Sequence, residues 1–347
     1  MKGKSIKIIF SAEQRGGFDV FLPVLKKIKH SKKFQPFLFS NNANVFEFAK
    51  QHHISCKRLN NPSVKKIVGI VKKINPDIIL TDTNNTDVSV SIDKKFIKTA
   101  KKLHIPTASI IDSWVDVKPR FGSTLEYLPD NILAIDNEMK KYLIGMGVNP
   151  AIIMITGNPR FDKFFKINTV KENKKLIAFY SQPLYEQKPN EVEIFKDIVG
   201  AIEKTYPDKE VMIKFHPSRE DNDKDRKKYD NIIKNSTLKI KKATANMASE
   251  SITKKASLVI GINSIALVDA SLTGKRVISY QPGMSKKSDT LRSNTHGWSI
   301  PVYKKSSLLP VLRDIFAKPV SPKKEFEKYT KNNSTDKVVG FISNIVI

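Results

Sequence analysis

The stretch from Ala256 to Gly283, ASLVIGINSIALVDASLTGKRVISYQPG, constrains the fold more than any other. Leu258-Val259-Ile260 is a short β-branched and apolar run with a glycine behind it, the pattern of a buried parallel strand that ends in a tight turn. From Asn263-Ser264 onward the apolar residues Ile265, Leu267, Val268 and Leu272 fall at helical spacing, and Gly274 closes the segment. Arg276 to Tyr280 gives the next strand, stopped by Pro282-Gly283. Strand, helix and strand in this order make a parallel-sheet unit, because parallel neighbours need a crossover. In such a unit the helix N-terminus lies at the sheet edge where ligands bind, and its free N–H groups and dipole attract anions, phosphate above all. Asn263 and Ser264 occupy that position, as a helix cap or as phosphate ligands.

The same alternation runs through the chain. Strands are expected at Ile6 to Phe10, Phe37 to Phe39, Pro76 to Asp82, Thr107 to Ile111, Ile132 to Ile135 and Ile152 to Ile155, with helices between them. Arg15-Gly16-Gly17 reads as a loop before the first of these helices. Polar Asp82, Thr83, Asn84 and Asn85 mark the end of one strand, and Asp112-Ser113-Trp114-Val115-Asp116 follows another. A polar run around residues 166–175 reads as a linker. A second series then begins, with Leu176 to Tyr180, Ser181-Gln182-Pro183, a helix from Glu191 to Lys204, Glu210 to Phe215 and His216-Pro217-Ser218. The expected organisation is therefore α/β, two Rossmann-like parallel-sheet domains at 1–165 and 176–347 facing a cleft, with residues after Glu325 packing back toward the first.

Composition bounds the function classes. No run approaches the roughly 20 apolar residues of a membrane helix, and Glu13 and Gln14 come too soon for a signal peptide, so a cytoplasmic protein is expected. A single cysteine, Cys56, can form no internal disulfide, and the six His are scattered apart from adjacent His52-His53, so no metal site is expected. Asp221-Asn222-Asp223 has the letters of a DxD pair but sits in a charged stretch. The formal net charge is +27, yet the lysines are spread from end to end and only nine of the 61 basic residues are Arg, which suits compositional bias better than nucleic-acid binding. If the charge serves a partner, an anionic membrane surface or glycan fits it better. Gly16-Gly17 does not complete GxGxxG and no Walker lysine motif occurs, so nicotinamide and P-loop chemistry are unsupported. Two glycines after a strand instead let backbone approach a ligand closely.

Four segments together carry a family likeness: GNPRFD (Gly157 to Asp162), SQP (Ser181 to Pro183), KFHPS (Lys214 to Ser218) and the block GINSIALVDASLTGKRVISYQPG. They resemble the two-Rossmann glycosyltransferases called GT-B, and more closely bacterial surface-polysaccharide enzymes near the CDP-glycerol glycerophosphotransferases and polysialyltransferase-like proteins. The resemblance covers the second half well and the first half in outline. It implies a metal-independent, inverting transferase that uses a UDP-, CMP- or CDP-linked donor as substrate, no cofactor, and a glycan or lipid-linked acceptor. By the same resemblance His216 contacts the donor phosphate, Asn263 and Ser264 form the phosphate region, Asp269 faces the donor, and Ser181-Gln182 meets it. The acceptor base is expected in the first domain at Asp112 or Asp116, with Asp19 and Glu13 next. Gly16 and Gly17 line the acceptor or anion side, and Lys118 and Arg120 would neutralise an anionic ligand. The Asp112–Asp116 loop departs from the family, where a His-Gly pair stands. The alternatives are a non-hydrolysing UDP-N-acetylglucosamine 2-epimerase, whose paired glutamates would fall near Asp269, Ala270 and Ser271, and a non-catalytic GT-B-like binding protein.

Overall fold

The computed structural model describes residues 5–84, 86–87, 89–114, 117–166, 173–184, 189–216, 220, 222–244, 247–317 and 324–345. The chain divides into two compact units, Met1–Asp162 with Tyr329–Ile347, and Lys163–Lys328. Among the described residues each unit is built on one parallel sheet.

In the first unit β1 (Ile6–Ser11), β2 (Phe34–Ser40), β3 (Cys56–Arg58), β4 (Ile78–Thr81), β5 (Thr107–Ile110), β6 (Asn131–Ala134) and β7 (Ile153–Ile155) lie in the order β3-β2-β1-β4-β5-β6-β7. The helices α1 (Arg15–Ile28), α2 (Ala43–Gln51), α3 (Val64–Ile74), α4 (Ile92–Lys102) and α5 (Asn137–Gly145) follow in sequence. The central strands are apolar and buried because both faces of the sheet are covered, whereas the edge strand β3 is short and basic. Ile8, Phe10, Ile78 and Leu80 pack with α1 on one face, while Ile9, Ile79, Ile67 and Phe96 form a cluster on the other. The order reverses between β1 and β4, and the crevice outside the carboxyl ends of such neighbouring strands is where α/β sheets bind ligands.

The C-terminal helix Ser334–Ile345 belongs to this unit, where Val338, Phe341 and Ile342 join the core around Val24 and Ile28. Asp162 fastens its start by accepting from the backbone N–H groups of Ser334 (3.0 Å) and Thr335 (2.7 Å). Gly157 has φ +83°, and a Cβ there would fall 2.1 Å from Asn332 Nδ2, so the chain returns against a position that only glycine can supply. The GNPRFD segment thus carries a fold-closing role through Gly157 and Asp162.

In the second unit β8 (Asn173–Tyr180), β9 (Glu210–Lys214), β10 (Lys239–Lys242), β11 (Ala256–Gly261), β12 (Arg276–Tyr280) and β13 (Ile300–Val302) take the order β10-β9-β8-β11-β12-β13. Its helices include α6 (Glu191–Thr205), α7 (Asp223–Lys227), α8 (Asp230–Asn235), α9 (Ser249–Lys255) and α10 (Ile265–Leu272). Here the order reverses between β8 and β11. Most of the expected 166–175 linker lies outside the described residues, and from Asn173 the chain is already strand. Among the described residues no helix is long and apolar enough to cross a membrane.

Candidate functional site

At the β1/β4 reversal of the first unit the structure gathers carboxyl groups. Glu13 follows β1, Asp82 follows β4, Asp112 follows β5 and Asp93 comes from the first turn of α4. Three are nearly inaccessible, with relative exposures of 3% for Glu13, 3% for Asp82 and 4% for Asp93. Asp82 Oδ2 accepts from the backbone N–H of Glu13 (3.1 Å) and more weakly from that of Gln14 (3.4 Å), so this side chain from another strand caps α1. The cap corrects the expected loop at Arg15-Gly16-Gly17, which is the first turn of α1. Two glycines start a helix here because side chains would not fit. A Cβ on Gly17 would lie 1.9 Å from Asp82 Oδ2, and one on Gly16 would lie 2.8 Å from Asp112 Oδ2.

Polar donors hold the group together. The Asn84 amide reaches both Asp82 Oδ1 (3.3 Å) and Asp93 Oδ2 (3.1 Å), and the Ser11 hydroxyl donates to Asp93 Oδ1. Glu13 Oε1 accepts from the Ser91 hydroxyl (2.7 Å) and the Asp93 backbone N–H (2.9 Å). Burial pushes Asp82 up to about 6, opposed by its hydrogen bond with Asp93 and assisted by the charges of Glu13 and Asp112. Burial, then the charges of Asp82 and Glu13, raises Asp93 well above the ordinary carboxyl range, so Asp93 is the protonated partner. Asp112 instead pairs with Arg120, whose guanidinium also reaches the Thr83 hydroxyl (2.7 Å), the Thr83 carbonyl (3.1 Å) and the Ser113 hydroxyl (2.8 Å). Asn158 donates to the Asp112 carbonyl (2.9 Å), and Trp114 stacks on Phe161 at 5.9 Å. A small cavity of about 10 Å³ lies beside Asp82, Asp93, Asn84, Lys94 and Arg120.

The expected first-unit residues are therefore placed as follows. Asp112, Gly16 and Gly17 come together with Asp82, and the Arg120 guanidinium is engaged by Asp112, Thr83 and Ser113. Asp19 lies on α1 paired with Arg15 (3.2 Å). Asp116 and the Lys118 side chain are outside the described residues. Sequence reasoning took Asp82 only as a strand end and passed over Asp93.

In the second unit the expected residues line up along the carboxyl ends of β9, β8 and β11, at and beside the reversal. Ser264 is the N-cap of α10 and accepts from the Ala266 N–H (3.3 Å), while the Asn263 N–H donates to Gln182 Oε1 (3.1 Å). His216 follows β9, and its backbone N–H donates to Glu220 Oε2 (3.2 Å). Ser181 is turned inward: its hydroxyl donates to Glu220 Oε1 (2.9 Å) and lies 2.6 Å from the Tyr229 hydroxyl. Burial raises the Glu220 carboxyl, although these hydrogen bonds favour its anion. Asp269, on the second turn of α10, is close enough to the buried Tyr180 phenol to add to its raised pKa. Pro217, Ser218 and Asp221 lie outside the described residues, and Asn222 caps α7. Among the described residues no three His, Cys, Asp or Glu side chains are grouped to hold a metal.

No protein-family profile and no curated protein sequence matches the chain. Solved structures do. The UDP-GlcNAc 2-epimerase of Methanocaldococcus jannaschii superposes with a TM-score of 0.73 at 15% identity, over 98% of this chain and 100% of its own. The Neisseria meningitidis UDP-GlcNAc 2-epimerase, bound to UDP-GlcNAc, gives 0.69 at 14% identity over 98% and 100%. A glycosyltransferase from Rickettsia africae gives 0.58 at 14% identity over 99% and 96%. The chain has a GT-B fold. Within GT-B, the expected reaction, transfer of a glycosyl or glycerophosphate group from a nucleotide-activated donor to a glycan or lipid-linked acceptor, is corrected. The neighbouring UDP-GlcNAc 2-epimerases superpose at 0.68 to 0.73, above the glycosyltransferase, and favour the epimerase alternative.

Proposed function

We propose that this protein is a nucleotide-sugar epimerase that inverts C-2 of a UDP-linked N-acetylhexosamine. The observation that carries the reading is the buried pair of environments at the β1/β4 reversal. Inverting C-2 requires its proton to be taken from one face and a proton returned to the other, hence one base and one acid. Because no carbonyl stands beside C-2, the electron pair of the broken C–H bond goes into a C-1=C-2 double bond as the C-1–O bond to UDP breaks. Asp112, ion-paired with Arg120, is the carboxylate suited to take the C-2 proton, and Asp82, held up to about 6 beside a protonated Asp93, is the acid suited to return one. In the reverse direction the roles exchange.

The second unit supplies nucleotide binding. Ser264 and the first N–H groups of α10 meet the diphosphate, with His216 and Gln182 from the adjacent strand ends. Asp269 is the acidic residue of α10 where the epimerase resemblance implies a glutamate pair, and it stands for one member of that pair. The fold neighbours that carry UDP-GlcNAc support the choice of ligand.

Two measurements test this. UDP should bind in calorimetry, and Ser264→Ala should weaken it about 10- to 100-fold, the scale of one hydrogen bond to a charged group. Chromatography of UDP-GlcNAc after incubation should show a second N-acetylhexosamine nucleotide. Binding without that product would reduce the protein to a nucleotide-sugar binder, and no binding would remove the reading altogether.

A further inference from the structure

The proposed acid–base reading uses Asp82 and Asp112, which leaves two nearly inaccessible carboxyl groups without a role. Carboxyls at such depth are costly unless paired or protonated, and three in contact with shared partners are rarely a by-product of packing. Glu13 is the more telling of the two. Its Oε1 has two donors, whereas Oε2 is buried with no hydrogen-bond partner. A half-satisfied buried carboxylate destabilises the fold, and the chain sustains it immediately before the α1 turn that Asp82 caps.

The remaining charged groups around Asp82 come from each element packed on it. They are Asp93 and Lys94 from α4, Asp112 and Arg120 after β5, and Glu13 after β1. Lys94 points away, with its Nζ on the Thr86 carbonyl at 2.7 Å, and Arg120 is directed to Asp112. The nearby influences on Asp82 are the Glu13, Asp93 and Asp112 carboxyls, the last partly neutralised by Arg120, and the backbone N–H groups of Glu13 and Gln14.

We propose, resting on the epimerase reading, that Glu13 and Asp93 are positioning residues for Asp82: the Glu13 carboxylate disfavours a second anion beside it, and Asp93, protonated, orients the Asp82 carboxyl through the shared Asn84 amide and supports the anion that Asp82 becomes when it gives up its proton. In the return step the O–H bond of Asp82 breaks, its proton forms the new C-2–H bond with the electron pair of the C-1=C-2 double bond, the C-1–O bond to UDP re-forms, and Asp82 becomes the carboxylate. That anion is then received by the Glu13 and Gln14 N–H groups just before α1 and by the Asp93 hydroxyl, while Asp93 keeps its own proton. Loss of the C-2 proton from Asp112 to solvent and re-protonation of Asp82 from solvent reset the site.

The test follows the Asp82 carboxyl directly by ¹³C NMR on protein labelled at aspartate carboxyls, assigned with Asp82→Asn, alongside the pH profile of epimerisation. Glu13→Gln removes one negative charge with little change of shape, so the Asp82 titration and the alkaline limb of kcat should both move to lower pH by up to about 1 unit, burial being the larger cause of the rise. At neutral pH that is a loss of turnover of up to about 10-fold with KM little changed. Glu13→Asp should recover most of the shift. Asp93→Asn keeps a neutral donor beside Asp82, so the titration should move by less than about half a unit, whereas an anionic Asp93 would give a shift as large as that of Glu13→Gln. An unmoved Asp82 titration in folded Glu13→Gln protein would overturn the proposal. A shifted titration in a wild-type protein that leaves UDP-GlcNAc unchanged would overturn the epimerase reading instead.

Discussion

Replacing Gly17 with alanine isolates the contact on which the site is built. In an exposed helix the substitution is favourable by about 1 kcal/mol, because alanine loses less backbone entropy. Here the new methyl would sit 1.9 Å from Asp82 Oδ2, 2.3 Å from its Cβ and 2.4 Å from its Cγ. A clash that includes Cβ cannot be relieved by rotating the carboxylate, so β4 or α1 must shift. Overpacking of this kind costs about 1–3 kcal/mol. The shift also withdraws Asp82 from the Glu13 N–H, which costs about 1.5–3 kcal/mol for a hydrogen bond to a charged group. Set against the gain in helix propensity, Gly17→Ala should destabilise by roughly 2–5 kcal/mol, lowering Tm by roughly 4–20 °C at about 2–4 °C per kcal/mol for a unit of this size. Gly69, in α3, is the internal control, since its Cβ would meet nothing within 4 Å and Gly69→Ala should be neutral or stabilising. Thermal unfolding by circular dichroism at pH 7.5 compares the two. If Gly17→Ala melts at or above Gly69→Ala, the close approach of α1 and Asp82 is wrong.

The raised Asp82 carboxyl has a thermodynamic consequence. Its folded value, about 6, stands above the ordinary 3.8, so the native state binds the extra proton. The corresponding stability is fully present below about pH 4 and is lost as pH rises through 6, by roughly 3 kcal/mol at 1.36 kcal/mol per pKa unit. Asp82→Asn should therefore abolish epimerisation yet unfold at higher denaturant than wild type at pH 8 and at similar denaturant at pH 4; a loss of stability at both would count against a strained carboxylate. In the second unit Ser181→Ala leaves the buried Glu220 and Tyr229 groups short of a partner and should cost about 1–3 kcal/mol in urea unfolding. UDP affinity should hardly change, because the Ser181 hydroxyl is turned away from the sheet edge; a stability-neutral variant with weakened binding would reverse that assignment.

The central strands and most helices were legible because buried parallel strands are continuous apolar runs, as at Ile78–Thr81 and Ala256–Gly261. The missed strands are edges. Cys56–Arg58 and Lys239–Lys242 are short and basic and Ile300–Val302 contains Pro301, the features that protect a sheet edge from further pairing and erase its signature in sequence. Asn263, Ser264 and Gln182 were legible as a set because a strand-helix unit announces its own N-terminus. Asp82 and Asp93 were not. Asp82 looks like any polar strand end, and Asp93 sits in SIDKKF, a segment that reads as a solvated first helical turn until tertiary packing buries it against Ser11 and Glu13. The GNPRFD likeness pointed to chemistry, whereas Gly157 and Asp162 serve the return of the C-terminal helix. Spacing in one segment could not show a partner some 170 residues away.

The account stands most directly on whether the carbon–hydrogen bond at C-2 is broken. UDP-GlcNAc incubated with the protein in D₂O and followed by ¹H NMR should lose its C-2 proton signal as the C-2 epimer accumulates, with deuterium at C-2 of the product because Asp82 recharges from solvent. Asp82→Asn and Asp112→Asn should each suppress that exchange by at least about 100-fold while UDP still binds, the scale of losing a positioned acid or base. UDP-GlcNAc that binds and is recovered with protium at C-2 and no epimer would contradict the account.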